Sequence, residues 1–195
     1  MRIGVLVSGR GSNLEALLGA GLEVALVVGN RHGARALRIA DDHGVRSIVL
    51  ARSAFADADA RDAAIGQALD AAEVELVVLA GYDQLLRAGY FAAYRGRTIN
   101  IHPSLLPRHG GIGMMGLAVH RSVLAVGESE TGATVHEVTT DLDAGPILAQ
   151  THVPVLPGDD ADALAARVLE AEHRLLVATV RRLAESGREF ATAPG

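Results

Sequence analysis

Asn100 and His102 stand two residues apart in the stretch Thr98-Ile-Asn-Ile-His-Pro-Ser-Leu-Leu-Pro107. Pro103 disfavours the helical region for His102, so residues 98–102 are expected to run extended. Alternation along that strand turns Asn100 and His102 to one face and Ile99 and Ile101 to the other. An amide that can donate two hydrogen bonds, beside an imidazole that either donates or accepts, suits a carbonyl oxygen that gains negative charge during acyl transfer. The same two residues can also do no more than cap a strand end. Their meaning therefore depends on what other segments bring to them.

Three further segments carry chemistry. Ser8-Gly-Arg-Gly-Ser-Asn13 follows the first apolar run, and its Gly9 and Gly11 permit a tight turn. Backbone N–H groups around Gly11, Ser12 and Asn13 then open a helix and can hold a phosphate, although Ser12 or Asn13 can equally cap that helix with no ligand. A dinucleotide loop would want Gly or Ala where Leu14 stands, and a P-loop would want a following Lys, so a monophosphate is the better match. Ala80-Gly-Tyr-Asp-Gln-Leu-Leu86 can line a pocket for a flat ring or simply enter a helix. Thr140-Asp-Leu-Asp-Ala-Gly-Pro146 is a turn, in which the ordinary role of Asp143 is to bond local backbone N–H groups. Between these lies Arg108 to Gly116, with four glycines among nine residues. It is expected to be a tightly turned or mobile loop beside the Asn100/His102 edge, able to close over a substrate or merely to connect.

The elements that must position these residues alternate. Arg2 to Val7, Leu22 to Val28, Ser47 to Leu50 and Glu73 to Ala80 read as buried strands, with helices over Leu14 to Leu18, Ala34 to Ala40 and Asp59 to Ala72. Such repeated strand–helix units predict an α/β domain: a mostly parallel, twisted, Rossmann-like sheet with helices on both faces. Right-handed crossovers place the loops after the strands at one edge, where ligands usually bind. Further on, Leu117 to Val126 reads as a helix with His120 either packing that helix or supporting the site residues from behind. Thr131 to Val138 reads as a strand that turns Thr134 and His136 one way, and Ile147 to Val155 as the next strand. A long helix from about Ala161 to Ala184 follows, with Asp159 or Asp160 as its N-cap and Arg181 and Arg182 near its negative C-terminal end. Residues 1–186 make one domain on this reading, and 187–195 a flexible tail.

Composition narrows the function. With 195 residues, nearly half of them apolar, the chain can bury one good core. It has no cysteine, which excludes disulfides, thiolate nucleophiles and cysteine-based zinc sites and fits a cytoplasmic protein. All 18 basic residues are arginine, so a lysine Schiff base is excluded as well. A net charge of −5 argues against broad nucleic-acid binding, and no apolar run is long enough for a signal peptide or a membrane span.

Taken in order, Ser8-Gly-x-Gly-Ser-Asn13, Ala80-Gly-Tyr82, Asn100-Ile-His-Pro-Ser-Leu-Leu-Pro107, Gly132-Ala-Thr-Val-His136 and Leu142-Asp-Ala-Gly-Pro-Ile147 resemble the folate-dependent formyltransferase superfamily. Within it they are most similar to the glycinamide ribonucleotide (phosphoribosylglycinamide) formyltransferases of purine biosynthesis, over residues 1 to about 184. The resemblance implies Asn100, His102 and Asp143 as the catalytic trio and Gly11, Ser12 and Asn13 as the phosphate cradle. It implies Glu172 as a ligand of the substrate's ribose. Tyr82, Asp83, Gln84, Leu85 and Leu86, with Asn100, Leu142 and Asp143, would border the folate. The sequence departs from the family pattern at the long glycine-rich loop 108–116, at Leu169 where a lysine is usual, and at Ala58 where an arginine is usual.

What the resemblance implies chemically is direct transfer of the formyl group of 10-formyltetrahydrofolate to the amine of glycinamide ribonucleotide, without a metal. The expected partners are these two small molecules, with no nucleic acid and no membrane; the sequence sets no oligomeric state. A formyltetrahydrofolate deformylase would use the same trio with water as acceptor. Methionyl-tRNA and sugar-nucleotide formyltransferases share the central motif, and a non-catalytic nucleotide-binding module would keep the phosphate loop. No extra N-terminal or C-terminal domain of the deformylase or tRNA-enzyme kind is expected, since the first strand begins at Arg2 and the last helix nearly ends the chain.

Overall fold

The computed structural model describes residues 1–191. Seven strands form one sheet in the order β3-β2-β1-β4-β5-β6-β7. The strands are β1 Ile3–Val7, β2 Val24–Gly29, β3 Ser47–Val49, β4 Leu76–Leu79, β5 Arg97–His102, β6 Glu130–Glu137 and β7 Ile147–Pro154. The expected α/β class with a mostly parallel sheet is the fold observed. The backbone contacts group into two compact units, one through Ile99 and one from Asn100.

In the first unit β1 pairs in parallel with β2 and β4, and β2 with β3. Every residue of β1 and β4 is buried, which explains why these strands read as unbroken apolar runs without alternation. The connecting helices are α1 Ser12–Gly19, α2 Arg35–Asp42 and α3 Ala58–Ala71. Asp57 caps α3, accepting a 2.8 Å hydrogen bond from the Ala60 amide. A short helix α4, Ala88–Ala93, follows the 80–86 segment, in line with its reading as a helix entry. Its Tyr90 hydroxyl lies 2.7 Å from Thr98 Oγ1, and Tyr94, just beyond the helix, donates to the Val74 carbonyl at 3.0 Å. These contacts hold a helix too short to form on its own propensity. Because the strands are parallel, the loops that follow β1, β2 and β4 leave the sheet at one edge.

In the second unit β6 and β7 are antiparallel, pairing Thr134 with Gln150 and Val135 with Ala149. Helix α5 is Leu117–Ala125 and α6 is Ala161–Ala191. Val123 of α5, Val153 of β7 and Leu164, Val168 and Ala171 of α6 form a buried cluster. The spacing of the three α6 residues is that of one helical face. Asp160, one of the two N-cap candidates, caps α6 by accepting from the Ala163 amide at 2.8 Å, a contact worth about 1 kcal/mol. Asp159 instead pairs with Arg167 at 2.7 Å. The helix continues past Ala184 to Ala191. Arg181 and Arg182 therefore lie inside α6 and not at its end. Arg182 donates to the Leu148 carbonyl at 2.9 Å. Of the tail expected at 187–195, residues 187–191 belong to α6, and 192–195 lie outside the described residues.

Candidate active site

The loop after β1 turns into α1 at Gly11, whose φ of 80° lies in the left-handed region. Gly11, not Ser12 or Asn13, is the N-cap, and no side chain caps the helix. A Cβ on Gly11 would come 2.7 Å from the Ala36 Cα, so glycine is required both by the turn and by the approach of α2. The Ala36 amide donates to the Gly9 carbonyl at 3.1 Å and anchors the loop from the same side. Ser12 is half-buried and Asn13 buried. A helix start that no side chain caps keeps its first-turn dipole available to an anion.

The loop after β4 is tied down more heavily. The Asp83 amide donates to Ser8 Oγ, and Ser8 Oγ donates to Asp83 Oδ1, both at 2.9 Å. Asn30 Nδ2 donates to the same oxygen at 2.6 Å, and Arg31 pairs with Asp83 Oδ2. Burial pushes the Asp83 carboxyl up, but the hydrogen bonds from Asn30, Ser8, Gln84 and Arg31 outweigh it and hold it below the usual carboxylate value. Burial likewise raises the Tyr82 hydroxyl to about 12. Arg61, a fully buried residue of α3, donates to Asp62 Oδ1 at 2.5 Å and to Gln84 Oε1 at 2.8 Å. Leu86 is buried, whereas Leu85 is 45 % exposed.

Asn100, His102 and Asp143 come together in the second unit, around His136. His136 Nδ1 lies 2.9 Å from the Glu137 carbonyl, which only accepts, so Nδ1 carries the proton. Its Nε2 is then an acceptor and takes a hydrogen bond from Asn100 Nδ2 at 3.1 Å. The same Nε2 lies 3.6 Å from Asp143 Oδ1. Burial lowers the pKa of His136, against opposing contributions from the Glu137 carbonyl and Asp143, and so favours this neutral form. His102 Nδ1 faces Asp143 Oδ2 at 3.8 Å, while its Nε2 donates to the His109 carbonyl at 2.8 Å. Asp143 has a φ of 53°. Gly145, two residues on, packs so closely that a Cβ would meet the Glu137 carbonyl oxygen at 1.9 Å. That approach fixes the turn and the direction of its acid.

Two expectations change here. Asp143 does not bond its local backbone: Oδ2 accepts from the Gly111 amide at 2.9 Å, across 32 residues of sequence. The glycine-rich loop is accordingly more than a connection, since it supplies Gly111 N–H to Asp143 and His109 C=O to His102. His109 is itself held by Ser122 at 2.9 Å and Glu128 at 3.3 Å. Below the trio, Thr134 donates to the Ser104 carbonyl at 2.6 Å and accepts from the Leu106 amide at 3.1 Å, which pins the turn after β5. Thr134 and His136 were visible as an alternating pair; their roles were not, because their partners are distant in sequence. Glu172 is buried on α6 and His120 is buried on α5. Leu142 is 45 % exposed beside Asp143. Among the described residues no cluster of His, Asp or Glu is arranged to hold a metal ion, and no helix is long and apolar enough to cross a membrane.

The chain belongs to the formyl transferase family, whose model matches residues 1–180. It is 39 % identical over 181 residues to the phosphoribosylglycinamide formyltransferase of Escherichia coli K12, covering 90 % of this chain and 83 % of that one. It is 42 % identical over 180 residues to the trifunctional purine biosynthetic protein adenosine-3 of Drosophila melanogaster, covering 88 % of this chain but only 13 % of that protein's length. Among solved structures, glycinamide ribonucleotide transformylase 1 from Symbiobacterium toebii matches with a TM-score of 0.90 and 40 % identity, covering 95 % of this chain and 88 % of that one.

Proposed function

We propose that the protein transfers the formyl group of 10-formyltetrahydrofolate to the amine of glycinamide ribonucleotide, in the cytoplasm, as a step of purine biosynthesis. The observation that carries this reading is the meeting of Asn100, His102 and Asp143 around one neutral histidine, in a chain of the formyl transferase family. Gly11, Ser12 and Asn13 take the substrate phosphate at the start of α1, and Glu172 its ribose. Tyr82 to Leu86 and Leu142 border the folate, with Leu85 and Leu142 offering exposed apolar surface.

Attack of the amine on the formyl carbon makes a tetrahedral intermediate with a negative oxygen and a positive nitrogen. Asn100 gives one N–H to His136 and directs the other to the oxygen. The Nε2–H of His102 is occupied by His109, so it is the protonated ring that serves the oxygen, through Nδ1–H on the side beside Asp143. Asp143 takes the proton of the attacking amine and passes it to N10 as the C–N10 bond breaks, so that the folate leaves neutral at that nitrogen. Neither serine nor cysteine is needed as a nucleophile.

The competing outcome is hydrolysis, in which water takes the formyl group. Incubation with 10-formyltetrahydrofolate alone should release formate only slowly. Adding glycinamide ribonucleotide should give its formyl derivative rapidly, in equal amount to the tetrahydrofolate formed. An analogue without the phosphate should react poorly, since its amine loses the proximity that the anchored phosphate provides. Fast formate release that ignores the ribonucleotide would overturn the transferase reading in favour of a deformylase.

A further inference from the structure

The loop between β4 and α4 is held from both sides by one continuous run of side-chain hydrogen bonds. Arg31, Asn30 and Ser8 converge on the Asp83 carboxylate, and Gln84 Nε2 joins them at 3.2 Å from Oδ1. The other end of the same amide, Gln84 Oε1, accepts from Arg61 Nη1 at 2.8 Å. Arg61 donates through Nε and Nη2 to Asp62 Oδ1 at 2.9 and 2.5 Å, and through Nη2 to the Leu85 carbonyl at 3.5 Å. Asp62 Oδ2 closes the run by accepting from the Arg87 amide at 2.8 Å. Gln84 is therefore the link between two charged groups, with its orientation fixed at both ends: the carbonyl faces a guanidinium and the amide nitrogen a carboxylate.

A connection between a strand and a short helix does not require such construction. Arg61 and Asp62 are 1 % and 0 % exposed, and a buried ion pair is a poor source of net stability compared with apolar packing. What a fully bonded buried pair does provide is a unique geometry. Here that geometry is delivered to Gln84 and the Leu85 carbonyl, beside an apolar side chain that stays 45 % exposed. On the Asp83 side, the run ends on Ser8, the first residue of the phosphate loop.

We propose that Arg61, Gln84 and Asp83 form a positioning chain that presets the loop bordering the folate and couples it to the phosphate loop, so that ribonucleotide binding tightens folate binding. This rests on the assignment of the two loops made above. The carboxylate of Asp83 and the guanidinium of Arg61 act through Ser8, through the backbone of Leu85 and, by way of Asp62, through that of Arg87. Anchoring a phosphate at Gly11 to Asn13 restrains Ser8, Ser8 restrains Asp83, and Gln84 carries the restraint to the segment that holds Leu85 outward.

The test measures tetrahydrofolate affinity by calorimetry, alone and with saturating glycinamide ribonucleotide, so that no formyl group turns over. In the unsubstituted protein the ribonucleotide should tighten tetrahydrofolate at least about fivefold. Gln84→Leu keeps the bulk and removes the link; it should bring that ratio to within about twofold of one and raise the folate KM more than it lowers kcat. Gln84→Glu separates positioning from packing, because it satisfies Arg61 fully but opposes Asp83. It should uncouple the ligands as Leu does, whereas a role confined to satisfying buried Arg61 predicts full recovery. Arg31→Met, at the half-exposed end of the chain, removes one Asp83 partner without touching the buried pair and should lower the ratio partially. An unchanged ratio in the Gln84 variants, recovery by Gln84→Glu, or no coupling in the unsubstituted protein would each overturn the proposal. Turnover of the unsubstituted protein, assayed separately, decides the underlying transferase reading.

Discussion

The two polar clusters of this chain are built to opposite plans. Around Asp83 and Arg61 the contacts run side chain to side chain, several at 2.9 Å or less, and each charge has several partners. Around His102 and Asp143 the imidazole and the carboxylate stand 3.8 Å apart, and each is steadied by a main-chain group of a glycine-rich loop. The first arrangement resists displacement because moving one member breaks several bonds. The second leaves its acid and imidazole within reach of each other but not locked, so a ligand can still enter their hydrogen bonding. Rigid charge sets geometry, and loosely held charge is left for chemistry.

Removing the loosely held groups should show the largest effect. Asn100→Ala and Asp143→Asn are expected to lower kcat by about a hundredfold or more, because each deletes an interaction that forms mainly in the transition state. Near-normal kcat in a folded variant of either kind would break the distinction. Next in size, Ser12→Asp adds a carboxylate to the first turn of α1, where it suits the helix but repels a phosphate. It should raise the ribonucleotide KM by about tenfold while leaving thermal stability equal or higher. A matching rise in the folate KM would argue instead for general distortion.

A pH series sharpens the contrast. The folded pKa of His136 lies below the ordinary 6.5, so its contribution to stability is fully present above that pH and declines as pH falls through the lowered value. Protonation also puts a hydrogen on Nε2, the atom that accepts from Asn100. The unsubstituted protein should therefore lose more melting temperature between pH 8 and pH 5 than His136→Gln, whose amide oxygen accepts at any pH. Equal losses would show that His136 is charged in the fold. The smallest effect is expected at Asp159, where hydrogen bonds from Arg167 and the Leu156 amide hold the carboxyl at about 2, against a usual 3.8. Its contribution is complete above the usual value and disappears as pH falls towards 2. Asp159→Asn should lower the melting temperature at pH 6, and the gap should close by pH 2.

Asn100 and His102 are legible as a pair for a physical reason, since simple alternation puts them on one strand face, whereas Asp143 joins them in the sequence only through the resemblance to the formyltransferases. The strands were legible because their parallel pairing buries both faces and leaves unbroken apolar runs. What stayed hidden was tertiary. Helix α4 depends on hydrogen bonds to Thr98 and Val74 that its own six residues do not announce. Ser12 and Asn13 looked like caps by type, yet the left-handed backbone at Gly11 does that work. Asp83 gathers Ser8 from 75 residues away and Asn30 from 53, and no local pattern reports such a meeting. Asp143 likewise reads as a local turn acid until Gly111 is seen to bond it.

The hydrogen bond from His102 Nε2 to the carbonyl of His109 has one further consequence. A carbonyl oxygen has no proton to give and does not remove one from an imidazole, so that side of the ring is closed to traffic. Every proton that His102 gains or loses while this bond stands must cross at Nδ1, in front of Asp143. The ring then works as a room with a single door: protons arrive and depart on one side only, the side that faces Asp143.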